Sequence, residues 1–169
     1  MSRMRRADWL DLGLRMLTEA GVEALTVEAL CQAAGRTRGS FYHHFEDHDA
    51  FLRALAETWR DRQTDAVIAQ VEAGPGGARG DRLQKVAAAI DHRLDIAMRR
   101  AAGRHPAFAA MVAAVDSRRI DYIARVLQAD RSLDAADATR LAELDYALFV
   151  GSQVLWPDRA PLSMLDGTF

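Results

Sequence analysis

The sequence predicts an all-α protein, and three observations support this fold class. Half of the 169 residues are hydrophobic, and Ala and Leu, both good helix formers, supply much of that content. Apolar residues recur at the helical period of about 3.6 in several segments, whereas no segment shows the sustained alternation of a strand. Glycine and proline separate these segments at intervals that suit turns between helices.

Capping residues and helix breakers place the predicted helices. Thr26 and Thr37 are candidate N-caps, and Gly21 and Gly35 are candidate C-terminal stops. Gly13 stands on the apolar face of the first helix, where its small size predicts a close packing contact. The predicted helices cover 7–20, 27–34, 37 to about 45, 47 to about 72, 81 to 102, 107–129 with an interruption near 116, and 135–156.

The charge and the cysteine content limit the cellular environment and the binding partners that we expect for this protein. The formal net charge is −2, but the first 45 residues hold six Arg and five acidic residues, so this part is slightly basic and can present cations to phosphate. The chain has one cysteine, which excludes an internal disulfide. No apolar run reaches the length of about 18 residues that a membrane span needs. We therefore expect a cytoplasmic protein with no membrane partner.

Residues 26–45 predict a helix-turn-helix unit. Gly35 supplies the tight turn because a left-handed backbone is unstrained for glycine. Cys31, four residues earlier, is small enough for the two helices to approach closely. Leu30 and Phe41 are expected to pack the two helices together. The second helix is then free to project from the surface and to enter the major groove of duplex DNA.

The side chains on and around this second helix suit DNA contacts. Hydroxyl groups can donate to phosphate oxygens, and an arginine can pair with phosphate or read guanine. Gly39 allows a close approach of the backbone, and Thr26 offers a hydroxyl group and free N–H groups at a helix start. The predicted DNA-binding residues are Thr26, Arg36, Thr37, Arg38, Gly39, Ser40, Tyr42, His43, His44 and His48.

The stretch ALTVEALCQAAGRTRGSFYHHFEDHDAFL resembles the DNA-binding domain of the tetracycline-repressor (TetR) family. The match includes Leu25 to Val27, Gly35, the run from Thr37 to Phe45 and the helix start from Asp47 to Leu52, within about the first 60 residues. The remainder resembles the family in its layout, an all-helical region that ends in two long amphipathic helices.

This resemblance implies a bacterial transcriptional regulator that works as a homodimer. It implies a three-helix DNA-binding domain, assigned to residues 3–63, and a domain for effector binding and dimerisation, assigned to residues 64–169. The expected function is that of a repressor released from a palindromic operator by a small molecule. The alternative is a helical regulator whose C-terminal domain binds a protein partner or no effector.

Three positions depart from the family pattern. Arg36 stands where an apolar residue usually follows the glycine, and Cys31 replaces the usual alanine. His48 stands where a lysine often contacts phosphate. Because histidine is mostly uncharged at neutral pH, we expect operator affinity to rise as the pH falls from 8 to 6.

Apolar residues in the second domain have two possible roles. An effector pocket could be lined by Trp59, Met98, Phe108, Met111, Tyr146 and Trp156, although ordinary core packing explains these residues equally well. The last helix is apolar on more than one side, which favours a dimer contact over a single-chain bundle. The predicted dimer interface consists of Ile120, Ile123, Leu127, Leu141, Leu144, Leu148, Gly151 and Leu155.

The sequence gives no support for an enzyme. No nucleophile and base stand at a suitable spacing, and the glycine-rich segment 73–80 lacks the Lys-Ser/Thr of a phosphate-binding loop. A helical enzyme that keeps a helix-turn-helix as a scaffold is therefore the weaker interpretation. His44 and His48 have the spacing of a helical zinc site, but the predicted helix break between them spoils it. We expect no cofactor and no metal.

Overall fold

The computed structural model describes residues 4–75, 78–159 and 161–164, and the regular structure in these ranges is helical. The all-α prediction is therefore confirmed for this part of the chain. The α-helices are α1 (Arg6–Ala20), α2 (Val27–Ala34), α3 (Arg38–Tyr42), α4 (His48–Arg60), α5 (Ala66–Ala73), α6 (Arg79–Ala88), α7 (Arg93–Ala102), α8 (Pro106–Arg131) and α9 (Ala135–Leu155). A 3₁₀ turn covers Val22–Ala24, and a π-helical segment covers Asp61–Asp65.

The chain divides into two compact units. The first unit contains Met1–Arg60 and Arg93–Val112, and the second contains Asp61–His92 and Ala113–Phe169. The first unit thus joins the predicted helix-turn-helix segment to residues 93–112, which the sequence analysis assigned to the second domain. The predicted domain boundary between residues 63 and 64 stays a prediction.

Aromatic rings form the centre of the first unit. Phe41 is fully buried and lies 5.4 Å from the ring of Trp9, 5.1 Å from Phe45 and 5.4 Å from Phe51, measured between ring centroids. These separations are in the range in which edge-to-face and tilted ring pairs attract each other. Trp9, Phe41 and Phe51 belong to α1, α3 and α4, so these three helices are held together around Phe41.

Gly13 makes the close contact that the sequence predicts. A Cβ atom at this position would lie 2.6 Å from the Phe51 ring and 2.9 Å from Leu55 Cδ1. Both distances are shorter than van der Waals contact, so glycine lets α1 approach α4 at this point.

Hydrogen bonds between side chains accompany the apolar core of the second unit. The core contains Ile123, Leu127, Ala138, Ala142 and Tyr146. The guanidinium group of Arg119 donates to Thr64 Oγ1 (3.0 Å), to the carbonyl of Gln63 (3.1 Å) and to Tyr146 Oη (3.3 Å). The π-helical segment contributes two of these acceptors, so Arg119 links it to α8 and α9.

The structure corrects the helix predicted over 81–102. This region contains two helices, α6 and α7, and the helical hydrogen bonding stops between residues 89 and 92. At the break, the carbonyl of Asp91 accepts a hydrogen bond from Gln63 Nε2 (3.4 Å), and the ring of His92 lies 5.2 Å from that of Phe149. Contacts distant in sequence have overridden a favourable local helical pattern here.

Three other expectations concern helix continuity. The helix predicted from residue 47 to about 72 is present as α4, the π-helical segment and α5. The interruption expected near residue 116 does not occur, because α8 is continuous over 26 residues. The turn expected near Ser132 is present, and Ser132 has a positive φ of 54°.

Candidate nucleic-acid interface

Capping residues and one glycine set the geometry of the helix-turn-helix unit. Thr26 Oγ1 accepts a hydrogen bond from the backbone N–H of Ala29 (3.1 Å), and Thr37 Oγ1 accepts one from that of Ser40 (3.3 Å). Gly35 ends α2 in the left-handed conformation, with φ 60° and ψ 40°. These features confirm both predicted N-caps and the predicted turn glycine.

The helix α3 has one buried side and one exposed side. Phe41 of α3 and Leu30 of α2 are both fully buried, as expected for residues that pack the two helices together. The side chain of Tyr42 is 50% exposed, and the other exposed residues are Thr37, Arg38, Gly39 and His43, with Ser40 half-buried. The helix therefore presents a polar surface that its packing against the unit leaves open.

An ion pair connects the first turn of α2 to the first turn of α3. Arg38 Nη2 donates to Glu28 Oε1, and both side chains are exposed, at 63% and 75% respectively. Glu28 is not among the residues predicted to bind DNA. An acidic residue at a helix start is common and is explained by the helix dipole, so its sequence position gave no sign of this contact.

Two of the predicted DNA-binding histidines have partners within the chain. His44 Nε2 lies 2.9 Å from the carbonyl oxygen of Met4, and His48 Nε2 lies 2.5 Å from that of Leu25. Each imidazole has a second ring nitrogen that these bonds do not use. Contacts between these residues and DNA stay predictions.

The residues around the turn are partly covered. Arg36 is half-buried and lines an open groove of about 660 Å³ together with Met4, Thr37 and Ser40. Cys31 lines the same groove but is only 7% exposed, and burial raises the pKa of its thiol. Cys31 therefore acts as a small packing residue, as the prediction for the helix crossing requires.

The two arginines at the start of α1 also contact residues of the first unit. Arg5 Nη2 donates to Asp8 Oδ1 (3.0 Å), and this hydrogen bond lowers the pKa of the Asp8 carboxyl group. The guanidinium carbon of Arg6 lies 5.2 Å from the centre of the Phe45 ring, in the geometry of a cation–π contact. The second contact places Arg6 next to Phe45, three residues beyond the end of α3.

The predicted effector-pocket residues are divided between the two units. Trp59, Met98, Phe108 and Met111 belong to the first unit, and Tyr146 and Trp156 belong to the second. Trp59 Nε1 donates to the buried carboxylate of Asp95 (3.2 Å), whereas Trp156 is 41% exposed. The structure does not identify an effector among these residues, and the pocket stays a prediction.

The predicted dimer residues differ in exposure. Ile123 and Leu127 lie in the core of the second unit, and Ile120 and Leu141 pack against it. Leu144 and Leu155 are exposed, at 63% and 67%, and Leu148 and Gly151 are half-buried. The latter four residues form a stripe along α9, because each lies three or four residues, about one helical turn, from the next.

Two kinds of site are absent from the described ranges. Within these ranges, no group of three or more His, Cys, Asp or Glu side chains is arranged to hold a metal ion. No helix in the same ranges has the length and apolar character needed to cross a membrane.

The geometry defines a helix-turn-helix domain with an exposed, polar second helix. Residues 10–55 match the family model described as "Bacterial regulatory proteins, tetR family". This match confirms, over residues 10–55, the resemblance to the tetR family that the sequence predicts.

Relatives and solved structures agree with this assignment. The regulator BetI of Klebsiella pneumoniae, described as an HTH-type transcriptional regulator, is 29% identical over 86 residues, which are 51% of this chain and 44% of that relative. BetI of Escherichia coli matches to the same extent. The match thus spans less than half the length of these relatives.

Similar folds occur in solved structures. The reduced form of E. coli NemR has a TM-score of 0.74 at 19% identity, with 89% of this chain and 86% of NemR covered. A putative transcriptional regulator from Saccharomonospora viridis, solved in complex with choline, has a TM-score of 0.70 at 18% identity, with 96% and 90% covered. At these identities the likeness establishes the fold and nothing finer.

Proposed function

We propose that this chain is a DNA-binding transcriptional regulator and that α3 is its recognition helix. The observation that carries the proposal is the combination of a buried Phe41 with an exposed polar surface on the same short helix. Such a helix is fixed to its domain on one side and is accessible to base edges on the other. The match to the tetR family model over residues 10–55 supports the same function.

The proposal includes a homodimer that binds a palindromic operator. The stripe of Leu144, Leu148, Gly151 and Leu155 offers an exposed apolar surface on α9, next to Val154, which is 61% exposed. Contiguous exposed apolar residues favour association with another protein surface. A second copy of the chain would place two recognition helices on DNA about 34 Å apart, or at a multiple of that distance.

We further propose that a small-molecule effector releases the regulator from DNA and that the regulator acts as a repressor in the bacterial cytoplasm. The choline complex of the S. viridis regulator shows that a protein with this fold holds a small ligand. The chemical identity of an effector for this chain does not follow from that similarity. The relatives named above are regulators and not enzymes, in keeping with a non-catalytic role.

Selection of bound sequences from random duplex DNA tests this function. The purified 169-residue chain is incubated with the random pool, and the retained DNA is sequenced over several rounds. We expect a pseudo-palindrome with half-sites separated by about one helical turn or a multiple of it. A lack of enrichment would contradict the proposed function, whereas enrichment of a single half-site would contradict only the dimer.

A further inference from the structure

Glu28 and Arg38 are held together at the surface that the proposed function assigns to DNA. Glu28 is the second residue of α2 after the N-cap Thr26, and Arg38 is the first residue of α3 after the N-cap Thr37. Their side chains meet through Arg38 Nη2 and Glu28 Oε1, ten residues apart in sequence. The Glu28 carboxylate therefore adds a negative charge to a surface that the proposed function assigns to contact with phosphate.

We propose that Glu28 is a positioning residue, which directs Arg38 to a guanine base and away from the phosphate backbone. This inference rests on the proposed function and adds the kind of base that α3 reads. It assigns Glu28 a part in sequence specificity, although Glu28 itself need not contact DNA.

Charge decides between the two possible targets of Arg38. A phosphate group next to the guanidinium would also lie near the Glu28 carboxylate, and two negative charges at such short range repel each other. The major-groove edge of guanine is uncharged and offers two acceptors, O6 and N7, that match two parallel N–H donors of arginine. The ion pair therefore favours a neutral base as the target of Arg38.

The donor geometry of Arg38 leaves room for this contact. A guanidinium group has five N–H donors in one plane, and the bond to Glu28 uses Nη2. Within the described part of the chain, Nη1 and Nε make no hydrogen bond. A bidentate contact with guanine needs two donors, so Arg38 can bind Glu28 and guanine together.

The ion pair also limits the conformations of a long side chain before DNA binds. Arginine loses much rotamer freedom when its end is fixed, and a partner already in place reduces what is lost on binding. Because both residues are exposed, the pair contributes little to folding. A substitution of Glu28 should therefore change DNA reading without unfolding the domain.

The test uses four variants of the whole chain: Glu28→Gln, Arg38→Ala, the double variant, and Glu19→Gln as a control. Glu19 is an exposed acidic residue of α1, so Glu19→Gln removes the same charge without touching the ion pair. Affinities are measured by fluorescence anisotropy for the duplex selected by the unmodified chain. The set also includes versions of that duplex with each base at every half-site position.

The position read by Arg38 is the one whose base preference disappears in Arg38→Ala. We expect guanine there, preferred by about 10-fold or more over the other bases, since one bidentate contact supplies discrimination of this size. Glu28→Gln should reduce this preference by at least about 3-fold, because an unguided Arg38 also binds phosphate. Glu19→Gln should keep the preference.

Salt dependence gives an independent readout. In the unmodified chain, Arg38→Ala should leave the slope of log K against log salt nearly unchanged. In the Glu28→Gln background, the same substitution should reduce the slope by about 1, because Arg38 has then become a phosphate contact. A role of Glu28 in folding alone would not produce this difference.

Three results would overturn the inference. The first is an unchanged base preference in Glu28→Gln, and the second is a base other than guanine at the position lost in Arg38→Ala. The third is a drop in salt slope on Arg38→Ala in the unmodified chain. If the unmodified chain selects no sequence at all, the proposed function fails as well, so the two failures are distinguishable.

Discussion

The two units of this chain reach a stable interior by different means. The first unit packs aromatic rings around Phe41, with centroid separations of 5.1–5.4 Å to Trp9, Phe45 and Phe51. In the second unit, polar side chains of different helices form hydrogen bonds with one another. Arg119, for example, donates to Thr64, to the carbonyl of Gln63 and to Tyr146. The first arrangement depends on shape and the second on matched donors and acceptors, so substitutions should affect the two units differently.

The largest effect is expected from the aromatic centre of the first unit. Phe41→Ala should lower the free energy of unfolding by about 4 kcal/mol, because it removes a buried ring and leaves a cavity. Urea denaturation followed by circular dichroism measures the change. Tyr42→Ala is the matched control, since Tyr42 is the next residue and is 50% exposed, and its effect should be below about 1 kcal/mol. Equal effects of the two substitutions would contradict the assigned packing.

The next largest effect tests the hydrogen-bonded interior of the second unit. Arg119→Met should lower the free energy of unfolding by about 3 kcal/mol, because Thr64, which is buried, and Tyr146 lose a charged donor. Arg118→Met is the control. Its ion pair with Asp65 is half exposed on the arginine side, and such pairs contribute at most about 1 kcal/mol. If Arg119→Met lowered the free energy of unfolding by less than Arg118→Met, the hydrogen bonds of Arg119 would not stabilise the second unit as described.

Two glycines within helices sharpen the comparison. Gly13→Ala should destabilise the chain by about 2 kcal/mol, because the new Cβ would overlap with Phe51 and Leu55. Gly151→Ala should stabilise the chain by up to about 1 kcal/mol, because alanine favours helix and, in the described part of the chain, the new Cβ meets nothing within 4 Å beyond its chain neighbours and its own helix backbone. Thermal unfolding of both variants shows whether each substitution stabilises or destabilises the chain. Stabilisation by Gly13→Ala would show that α1 and α4 do not approach as described.

A smaller effect depends on pH. Tyr122 Oη donates to Glu72 Oε1 (2.7 Å), and this bond lowers the pKa of the Glu72 carboxyl group below its ordinary value. A carboxyl group with a lowered folded-state pKa stabilises the fold above its unfolded pKa, and this stabilisation is lost as the pH falls through the folded pKa. Tyr122→Phe should therefore lower the stability of the chain at pH 7, where Glu72 is charged.

The difference in stability between the unmodified chain and Tyr122→Phe should shrink as the pH falls through the lowered pKa of Glu72, because the carboxylate is then protonated. Urea titrations at a series of pH values measure it. If the difference in stability grew on acidification, the hydrogen bond from Tyr122 to Glu72 would not be the source of the stabilisation.

The sequence was informative where structure depends on neighbouring residues. The N-caps Thr26 and Thr37 and the turn at Gly35 follow from local backbone chemistry, and the bounds of α2 were predicted without error. The close approach at Gly13 could also be expected, because a glycine on an apolar helix face is otherwise unfavourable.

Features that depend on residues far apart in sequence could not be predicted. The break between α6 and α7 follows from contacts of Asp91 and His92 with Gln63 and Phe149, and no local glycine or proline marks it. The hydrogen bond between His44 and the Met4 carbonyl joins residues 40 positions apart. The ion pair between Glu28 and Arg38 joins residues 10 positions apart. Such pairs form only after the helices have packed.

The central claim is that α3 reads DNA sequence, and a competition experiment tests it most directly. A labelled duplex that carries the selected sequence is bound to the chain at about 0.15 M salt and is displaced by unlabelled selected or scrambled duplex. We predict that the selected duplex competes at least about 1,000-fold better than the scrambled one, and that Arg38→Ala lowers this ratio by about 10-fold or more. Equal competition by the two duplexes, or a ratio that Arg38→Ala leaves unchanged, would contradict the claim.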